Sequence, residues 1–189
     1  GESFERTQPS PILARGPHDP CLVTSPCVLK EETGWRMWYV SGLRWEQVGD
    51  ALHSYYHVKY AESADGIHWR REGRVCLDLQ EGERNIARPC VVRDEGGYRM
   101  WYSLNRGEGY RAGFAESTDG LSWTRRDDSV RFETANSRNA TGVVAYPWVF
   151  DADGDRYMFY NGPGFGRDGF CAAVARNAGR ASGDDRRCA

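Results

Sequence analysis

Two sequence signatures decide the fold: Arg36-Met37-Trp38-Tyr39, and Ala61-Glu62-Ser63-Ala64-Asp65-Gly66 followed by Trp69. Both return in the same order, as Arg99-Met100-Trp101-Tyr102 and as Ala115-Glu116-Ser117-Thr118-Asp119-Gly120 followed by Trp123. Signatures that recur in a fixed order indicate a structural repeat, in which each unit buries its apolar face against the next one.

Each repeat has the pattern of four short strands. The strand runs are rich in Val, Tyr and Trp, and turn residues separate them, including an Asp-Gly hairpin signal. We expect the strands of the first repeat at residues 26–30, 35–41, 55–63 and 67–75. The second repeat follows the same plan up to residue 126, and a third begins at residue 146.

Four-stranded antiparallel repeats packed around an axis are the blades of a β-propeller. The sequence therefore predicts an all-β fold, with a partial β-propeller domain at residues 1–176 and a flexible tail at 177–189. The expected blades span about three segments of the chain: 25–76, 89–126 and 146–175. Residues 1–6 align with the segments 66–71 and 120–125, each of which is a turn glycine followed by a fourth strand, so we expect them to close the third blade.

Three blades are fewer than the roughly four to eight of a typical propeller. Two explanations remain open at this stage. The chain is either the C-terminal part of a longer propeller whose N-terminal blades are missing, or a half that a second copy completes as a homodimer.

The composition of the chain argues against several classes of binding partner. The chain has 189 residues, a formal charge of -2 and a pI near 6.1, so no basic surface favours nucleic acid or an anionic membrane. No apolar run reaches the roughly 20 residues of a membrane-spanning helix, and the first residues lack a secretion signal, which predicts a cytoplasmic protein. Cys27 and Cys90 occupy the same Pro-Cys-Val position, which favours reduced structural thiols, and the sequence predicts neither a metal site nor a cofactor.

The alternation of antiparallel strands predicts which face binds a ligand. The long segments that enter the inner strands and those between the second and third strands share one face, and binding residues concentrate on such loops. The connection at 42–54 is the longest of its kind and holds Trp45. We interpret it as a loop that is either a substrate lid or a solvated insertion.

The same face holds the residues that we expect at the mouth of the channel. Ser25, Arg88 and Tyr146 each precede a proline at the start of an inner strand, so they are predicted to converge on the axis. The alternative for Arg88 is a salt bridge to a neighbouring blade. The other candidate substrate-binding residues near them are His18, Trp45, His57, Asn85, Arg111 and Asp168. A structural role is the alternative for His57, and a salt bridge is the alternative for Arg111.

Three motifs follow one another in order along the chain: Pro-x-Val, Tyr-Arg-Met-Trp-Tyr and Ala-Glu-Ser-x-Asp-Gly-x-x-Trp. Together they resemble the blade signature of the five-bladed glycosidase-like propellers. That group includes glycoside hydrolase families 43, 32 and 130. The resemblance covers nearly the whole chain up to Ala175 and implies a carbohydrate as substrate or ligand. The signature residues build the blade, so the resemblance predicts the fold more strongly than the activity.

Enzymes of this type use two carboxylic acids, which lie about 6.5 to 9.5 Å apart when the enzyme inverts the anomeric centre. The resemblance implies Asp19 and Glu83 as the catalytic acid–base candidates. The third leading segment, 139–146, has no carboxylate where relatives of this type often place one. The sequence therefore predicts a glycoside hydrolase-like propeller, with a non-catalytic carbohydrate-binding or assembly module as the alternative.

Overall fold

The computed structural model describes residues 2–107, 109–130, 143–167 and 169–176. Strands dominate these residues, and the helical segments are a 3₁₀ turn at Asp127–Ser129 and one short turn, α1, at Pro163–Gly166. The predicted all-β fold is confirmed. Within the described ranges, no helix has the length and apolar character needed to cross a bilayer.

The strands form three antiparallel units. The first unit consists of β1 (Val23–Glu31), β2 (Gly34–Val48), β3 (Ala51–Ser63), β4 (Trp69–Arg70) and β5 (Val75–Leu77). The second consists of β6 (Asn85–Asp94), β7 (Gly97–Asn105), β8 (Tyr110–Ser117) and β9 (Thr124–Arg125). The third consists of β10 (Ala145–Ala152), β11 (Asp155–Asn161) and β12 (Phe170–Ala175).

Neighbouring units meet mainly through their faces. A single parallel pairing, between Tyr56 and Asn85, joins the first two units into one open sheet, while the third unit is a separate sheet in the order β10-β11-β12. Residues 2–6 form no strand and Phe4 is 93% exposed. The closure of the third unit by residues 1–6 therefore stays a prediction, and the predicted tail at 177–189 lies outside the described residues.

The recurring signatures build the contacts between units. Trp38 on β2 is fully buried, packs against Tyr98 and Trp123 of the second unit at 5.7 and 6.1 Å, and donates a hydrogen bond to the carbonyl of Gly120 at 2.8 Å. The matching Trp101 on β7 packs in a cluster that contains Val149 of the third unit. The Arg-Met-Trp-Tyr signature thus places one aromatic ring in each interface that follows.

The Asp-Gly signature forms a tight turn between the third and fourth strands. The Asp119 carboxylate accepts hydrogen bonds from the backbone N–H groups of Leu121 and Ser122, both at 2.8 Å. These hydrogen bonds lower the pKa of Asp119 to about 2, and Gly120 adopts a positive φ of 74°. The contacts confirm Asp119 as a turn former, because its Oδ1 accepts both backbone N–H groups of the turn.

The connection predicted as a loop at 42–54 is instead a regular hairpin. Strand β2 continues to Val48 and β3 begins at Ala51, with a tight turn at Gly49, whose φ is 60°. The pairing register shifts between Gly42 and Arg44, so a bulge separates the hairpin from the rest of the sheet. We call residues 43–54 the arm. The prediction was wrong here because Val48 and Leu52 suit paired strands better than a solvated loop.

Candidate functional site

Three bends at matching positions shape the start of the inner strands. Ser25, Arg88 and Tyr146 have φ angles of 49°, 51° and 59°, a left-handed conformation that costs a non-glycine residue about 1–2 kcal/mol. Each lies in a bulge of the inner ladder and precedes a proline, which has no N–H to pair. The same backbone device therefore turns all three strands at the same level.

The three inner strands line one groove. Its volume is about 750 Å³, and its walls are residues 25–31, 88–93 and 146–150. Ser25, Arg88 and Tyr146 all contribute to these walls, so the structure brings together the residues predicted to converge. Their role in binding a ligand stays a prediction.

An aromatic cluster lies beside the end of the groove that Arg88 and Tyr146 form. The rings of Tyr146 and Phe165 are stacked, with centroids 6.1 Å apart and an angle of 23° between planes, and Tyr110 touches both. The Tyr56 and Tyr110 hydroxyls are 2.5 Å apart. The guanidinium of Arg88 lies 5.0 Å from the centre of the Tyr146 ring. We call Tyr56, Tyr110, Tyr146 and Phe165 the aromatic platform.

The platform combines a buried ring, Tyr110, with an exposed ring, Phe165. Tyr110 is 6% exposed, and burial together with the neighbouring Tyr56 hydroxyl raises its pKa, so the phenol is neutral. The backbone N–H of Tyr146 donates to Ser103 Oγ at 2.7 Å, which holds its ring in place. Phe165 is 65% exposed on the turn α1. An exposed ring face beside hydroxyl and guanidinium donors suits a ligand with both apolar and hydroxyl surfaces.

Asp19 is fully buried in a charged network of the first unit. Its carboxylate lies 2.7 Å from Arg71 Nη1 and 3.5 Å from Lys59 Nζ, and it accepts a hydrogen bond from the Tyr39 hydroxyl at 3.2 Å. Burial and the Asp19 charge together raise the pKa of Tyr39, so its hydroxyl remains a donor. Asp19 therefore joins the segment before β1 to strands β2 and β3.

Glu83 makes an equivalent network in the second unit. Arg125 binds it with two nitrogen–oxygen distances of 2.8 Å, Arg106 adds a contact at 3.2 Å, and the N–H of Gln80 donates at 2.8 Å. Burial would raise the pKa of Glu83, but the hydrogen bonds from Arg125 and Gln80 outweigh it, so the pKa is lowered. Glu83 is thus an ionised, 5% exposed carboxylate.

The two networks occupy matching places, since Arg71 and Arg125 both stand two residues after the closing tryptophan of their signatures. A general acid must reach the leaving oxygen and hold a proton near the working pH. The ion pair with Arg125 opposes the protonation that a general acid requires at Glu83. Each carboxylate also fixes the segment leading into an inner strand, and the catalytic role of Asp19 and Glu83 stays a prediction.

Three predicted binding residues make contacts within the framework, and their role in binding a ligand stays a prediction. His57 is 3% exposed, and its Nδ1 lies 2.9 Å from the Asp78 carboxylate, while Nε2 has no hydrogen-bond partner. Asn85 donates to the carbonyl of Ser54 at 2.6 Å and is 7% exposed. His18 is exposed, and its carbonyl accepts a hydrogen bond from Lys59. Of the three residues, Asn85 is paired with Tyr56 of the platform in the parallel bridge between β3 and β6.

The remaining predicted residues are divided between surface and undescribed positions. Arg111 is exposed near the start of β8, and Trp45 is 52% exposed on the arm. Asp168 and the segment 131–142 lie outside the described residues. In the part of the chain that the structure describes, no three His, Cys, Asp or Glu side chains converge as a metal site.

The sequence reasoning missed Tyr56, Tyr110 and Phe165. Tyr56 and Tyr110 directly precede His57 and Arg111, the positions predicted for binding near the start of the third strands, and this placement was a usable signal. Phe165 lies in the Gly162–Gly166 run, which lacks the Lys-Ser/Thr of a phosphate-binding loop, so the sequence predicts a mobile cleft loop there. Its stacking depends on positive φ angles of 66° at Gly164 and 58° at Phe165, which the sequence does not specify.

Comparison with known sequences finds two close relatives. No family model matches the chain. The uncharacterized proteins MT1551 and Rv1502 of Mycobacterium tuberculosis, from strains CDC 1551 and H37Rv, are 39% and 38% identical to it over 178 residues. These residues are 94% of this chain and 58% of each relative, so the chain spans about three fifths of their length.

Comparison with solved structures identifies the fold. Zg3597, a family 117 glycoside hydrolase of the marine bacterium Zobellia galactanivorans, has a TM-score of 0.69 at 16% identity, over 87% of this chain and 56% of that one. A structure from the GH130 family, whose glycoside hydrolases target β-1,2 mannosidic linkages in Candida mannan, has a TM-score of 0.58 at 21% identity, over 73% and 43%. The chain has the fold of the propeller-like glycoside hydrolases, as the resemblance implied.

Proposed function

We propose that this chain forms blades of a glycosidase-like β-propeller and binds a carbohydrate at the mouth of the channel, on the aromatic platform. The observation that carries the proposal is the stacked pair of Tyr146 and Phe165 with Arg88 beside it. Sugar rings have apolar C–H faces edged with hydroxyl groups, so an aromatic face with neighbouring donors recognises both surfaces. The glycoside hydrolase fold supports the same ligand class.

The three units are the proposed blades. Each places its inner strand on the groove, and the first two units pack the tryptophan-bearing strands β2 and β7 on the unit that follows, as expected for blades around an axis. A ring needs further blades between β10 and β1, and the greater length of the relatives leaves room for them. Either such blades or a second copy completes the channel.

The structure favours carbohydrate binding over a hydrolysis reaction that Asp19 and Glu83 would catalyse. Asp19 and Glu83 are buried in ion pairs, and in the described residues no hydrogen bond or ion pair links either carboxylate to Tyr146 or Phe165. We therefore assign these two acids to the framework and leave the platform as the binding surface.

Isothermal titration calorimetry with a panel of neutral mono- and oligosaccharides tests the proposal. We expect at least one saccharide to bind, and Phe165→Ala to weaken that binding about tenfold or more, since one stacked contact is lost. Phe4→Ala, which removes a 93% exposed aromatic side chain from residues that form no strand, is the matched control and should bind as the wild type does. The proposal fails if no saccharide of the panel binds, or if Phe165→Ala binds as tightly as the control.

A further inference from the structure

The arm presents two faces of opposite chemistry. By strand pairing, Trp45 lies opposite Ser54 and Gln47 opposite Leu52, so these four side chains share one face. All four are uncharged, and Trp45 and Leu52 are 52% and 61% exposed. The arm therefore carries a neutral face with an exposed indole.

The opposite face of the arm carries charged side chains that are paired with other residues of the protein. Arg44 lies 3.8 Å from the centre of the Tyr55 ring and forms an ion pair with Glu46 at 3.4 Å. His53, on the same face, lies 3.2 Å from Arg84 of the segment leading into β6. These contacts satisfy the charged side chains internally, which leaves the neutral face as the one free to meet a ligand.

The neutral face continues into the aromatic platform. Side chains two residues apart on a strand point to the same side, so Leu52, Ser54 and Tyr56 of β3 are aligned on one face. Tyr56 is the member of the platform whose hydroxyl meets Tyr110. Trp45, opposite Ser54, is thus about one strand repeat of ~7 Å further out than Tyr56.

The base of the arm is fixed to the second unit. The carbonyl of Ser54 accepts a hydrogen bond from Asn85 at 2.6 Å, and the N–H of Tyr56 donates to the carbonyl of Arg84 at 3.2 Å. The arm therefore holds its neutral face in a constant relation to the platform, while its tip at Gly49 projects from the molecule.

We infer that Trp45 forms a second sugar subsite, which makes the ligand an oligosaccharide that extends from the platform along the arm. This inference rests on the proposed carbohydrate-binding function and adds the class of ligand and the residue that selects its length. An uncharged face with an indole, an amide and a hydroxyl suits a neutral glycan, because it offers stacking and hydrogen bonds without an unpaired charge. An acidic or basic partner would find no opposite charge on this face.

The test measures affinity against ligand length for the full chain. Calorimetry uses mono-, di- and tetrasaccharides of one manno-, xylo- or cello-oligosaccharide series that the wild type binds. We expect the tetrasaccharide to bind the wild type at least about tenfold more tightly than the monosaccharide, and Trp45→Ala to remove most of this gain without weakening the monosaccharide. Val48→Ala, on the charged face and 46% exposed, is the control and should retain the full gain.

The outcomes separate the two proposals. If no saccharide binds, or if Phe165→Ala has no effect, the proposed function fails. If saccharides bind through Phe165 but Trp45→Ala keeps the length dependence, the second subsite is disproved and the function stands. If Trp45→Ala leaves all affinities unchanged and instead dissociates a dimer in analytical ultracentrifugation, the arm is a protein contact and the inference is wrong. Circular dichroism of each variant verifies that it is folded.

Discussion

At the residue scale, the buried carboxylates Asp19 and Glu83 are the most consequential side chains. We expect Asp19→Asn to lower the free energy of unfolding by about 3–5 kcal/mol, because it leaves Arg71 and Lys59 without their buried counter-charge. Glu83→Gln should cost less than Asp19→Asn but more than about 1 kcal/mol, because Arg125 keeps its ion pair with Asp127 at 2.6 Å. Urea denaturation measures this loss. Glu62→Gln is the control, since its partner Arg70 is 71% exposed, and it should cost less than about 1 kcal/mol. Equal losses in all three variants would contradict the structural role.

His57 predicts how stability depends on pH. Burial lowers its pKa below the usual value of about 6.5, although the hydrogen bond with Asp78 opposes this. The unfolded chain therefore takes up a proton first as the pH falls. The contribution of neutral His57 to the free energy of unfolding is therefore complete above pH ~6.5. It is lost progressively as the pH falls from that value to the lower pKa of His57 in the folded state.

Thermal melting between pH 7 and pH 5 tests this prediction. The wild type should lose stability over this interval more steeply than His57→Gln, which has no titrating group at that position. The lowered pKa values of Glu83 and Asp78 affect stability only in the more acidic range below about 4.5, so they do not obscure the comparison. Parallel profiles for the two proteins would show that His57 does not control the slope.

At the element scale, the bends before the prolines store backbone strain. Ser25→Gly should raise the free energy of unfolding by about 1 kcal/mol or leave it unchanged, because glycine adopts a φ of 49° without steric cost. Thr24→Gly, at the preceding position without a positive φ, should instead destabilise by about 0.5–1 kcal/mol. Chemical denaturation of the two variants compares them directly. Destabilisation of both by the same amount would show that the bend carries no strain.

The elements also show what the sequence can and cannot predict. The strands around Trp38 and Trp101 were predictable because the signatures recur and aromatic, β-branched runs alternate with turn residues. The arm was not, since its pairing depends on a bulge at Leu43 that no residue type announces. The platform depends on left-handed φ angles at Tyr146 and Phe165, which tertiary contacts impose against local preference. The sequence singles out Asp19 and Glu83 as special acids, but their arginine partners are distant in sequence, at 23 residues for Arg106 and 42 for Arg125 from Glu83, and only the fold brings them together.

At the scale of the whole molecule, the open groove exposes apolar side chains. Trp148 is 64% and Val28 39% exposed on the inner strands of the third and first units. Contiguous apolar surface of this kind binds hydrophobic probes or partners. We expect Trp148→Lys to reduce the fluorescence of bound 8-anilinonaphthalene-1-sulfonate, while Phe4→Lys leaves it nearly unchanged. A signal that is equally strong in both variants would place the apolar surface elsewhere.

The cysteines of the inner strands form hydrogen bonds between units. The N–H of Val91 donates to Cys27 Sγ at 3.2 Å, and the N–H of Val149 donates to Cys90 Sγ at 3.2 Å. Each thiol thus takes the place of a strand neighbour in the adjacent unit. Burial raises the pKa of Cys27 to about 11, so the thiol remains protonated in the folded chain.

Because of this placement, the alkylation rates of Cys27 and Cys90 report how often neighbouring units separate. Alkylation requires the thiolate, and a protonated sulfur held against a neighbouring backbone reacts only after that contact opens. The rate at which iodoacetamide modifies Cys27 or Cys90 therefore reports how often adjacent inner strands part. A ligand that spans the channel mouth would slow both reactions together, whereas one held on a single unit would leave at least one of them unchanged.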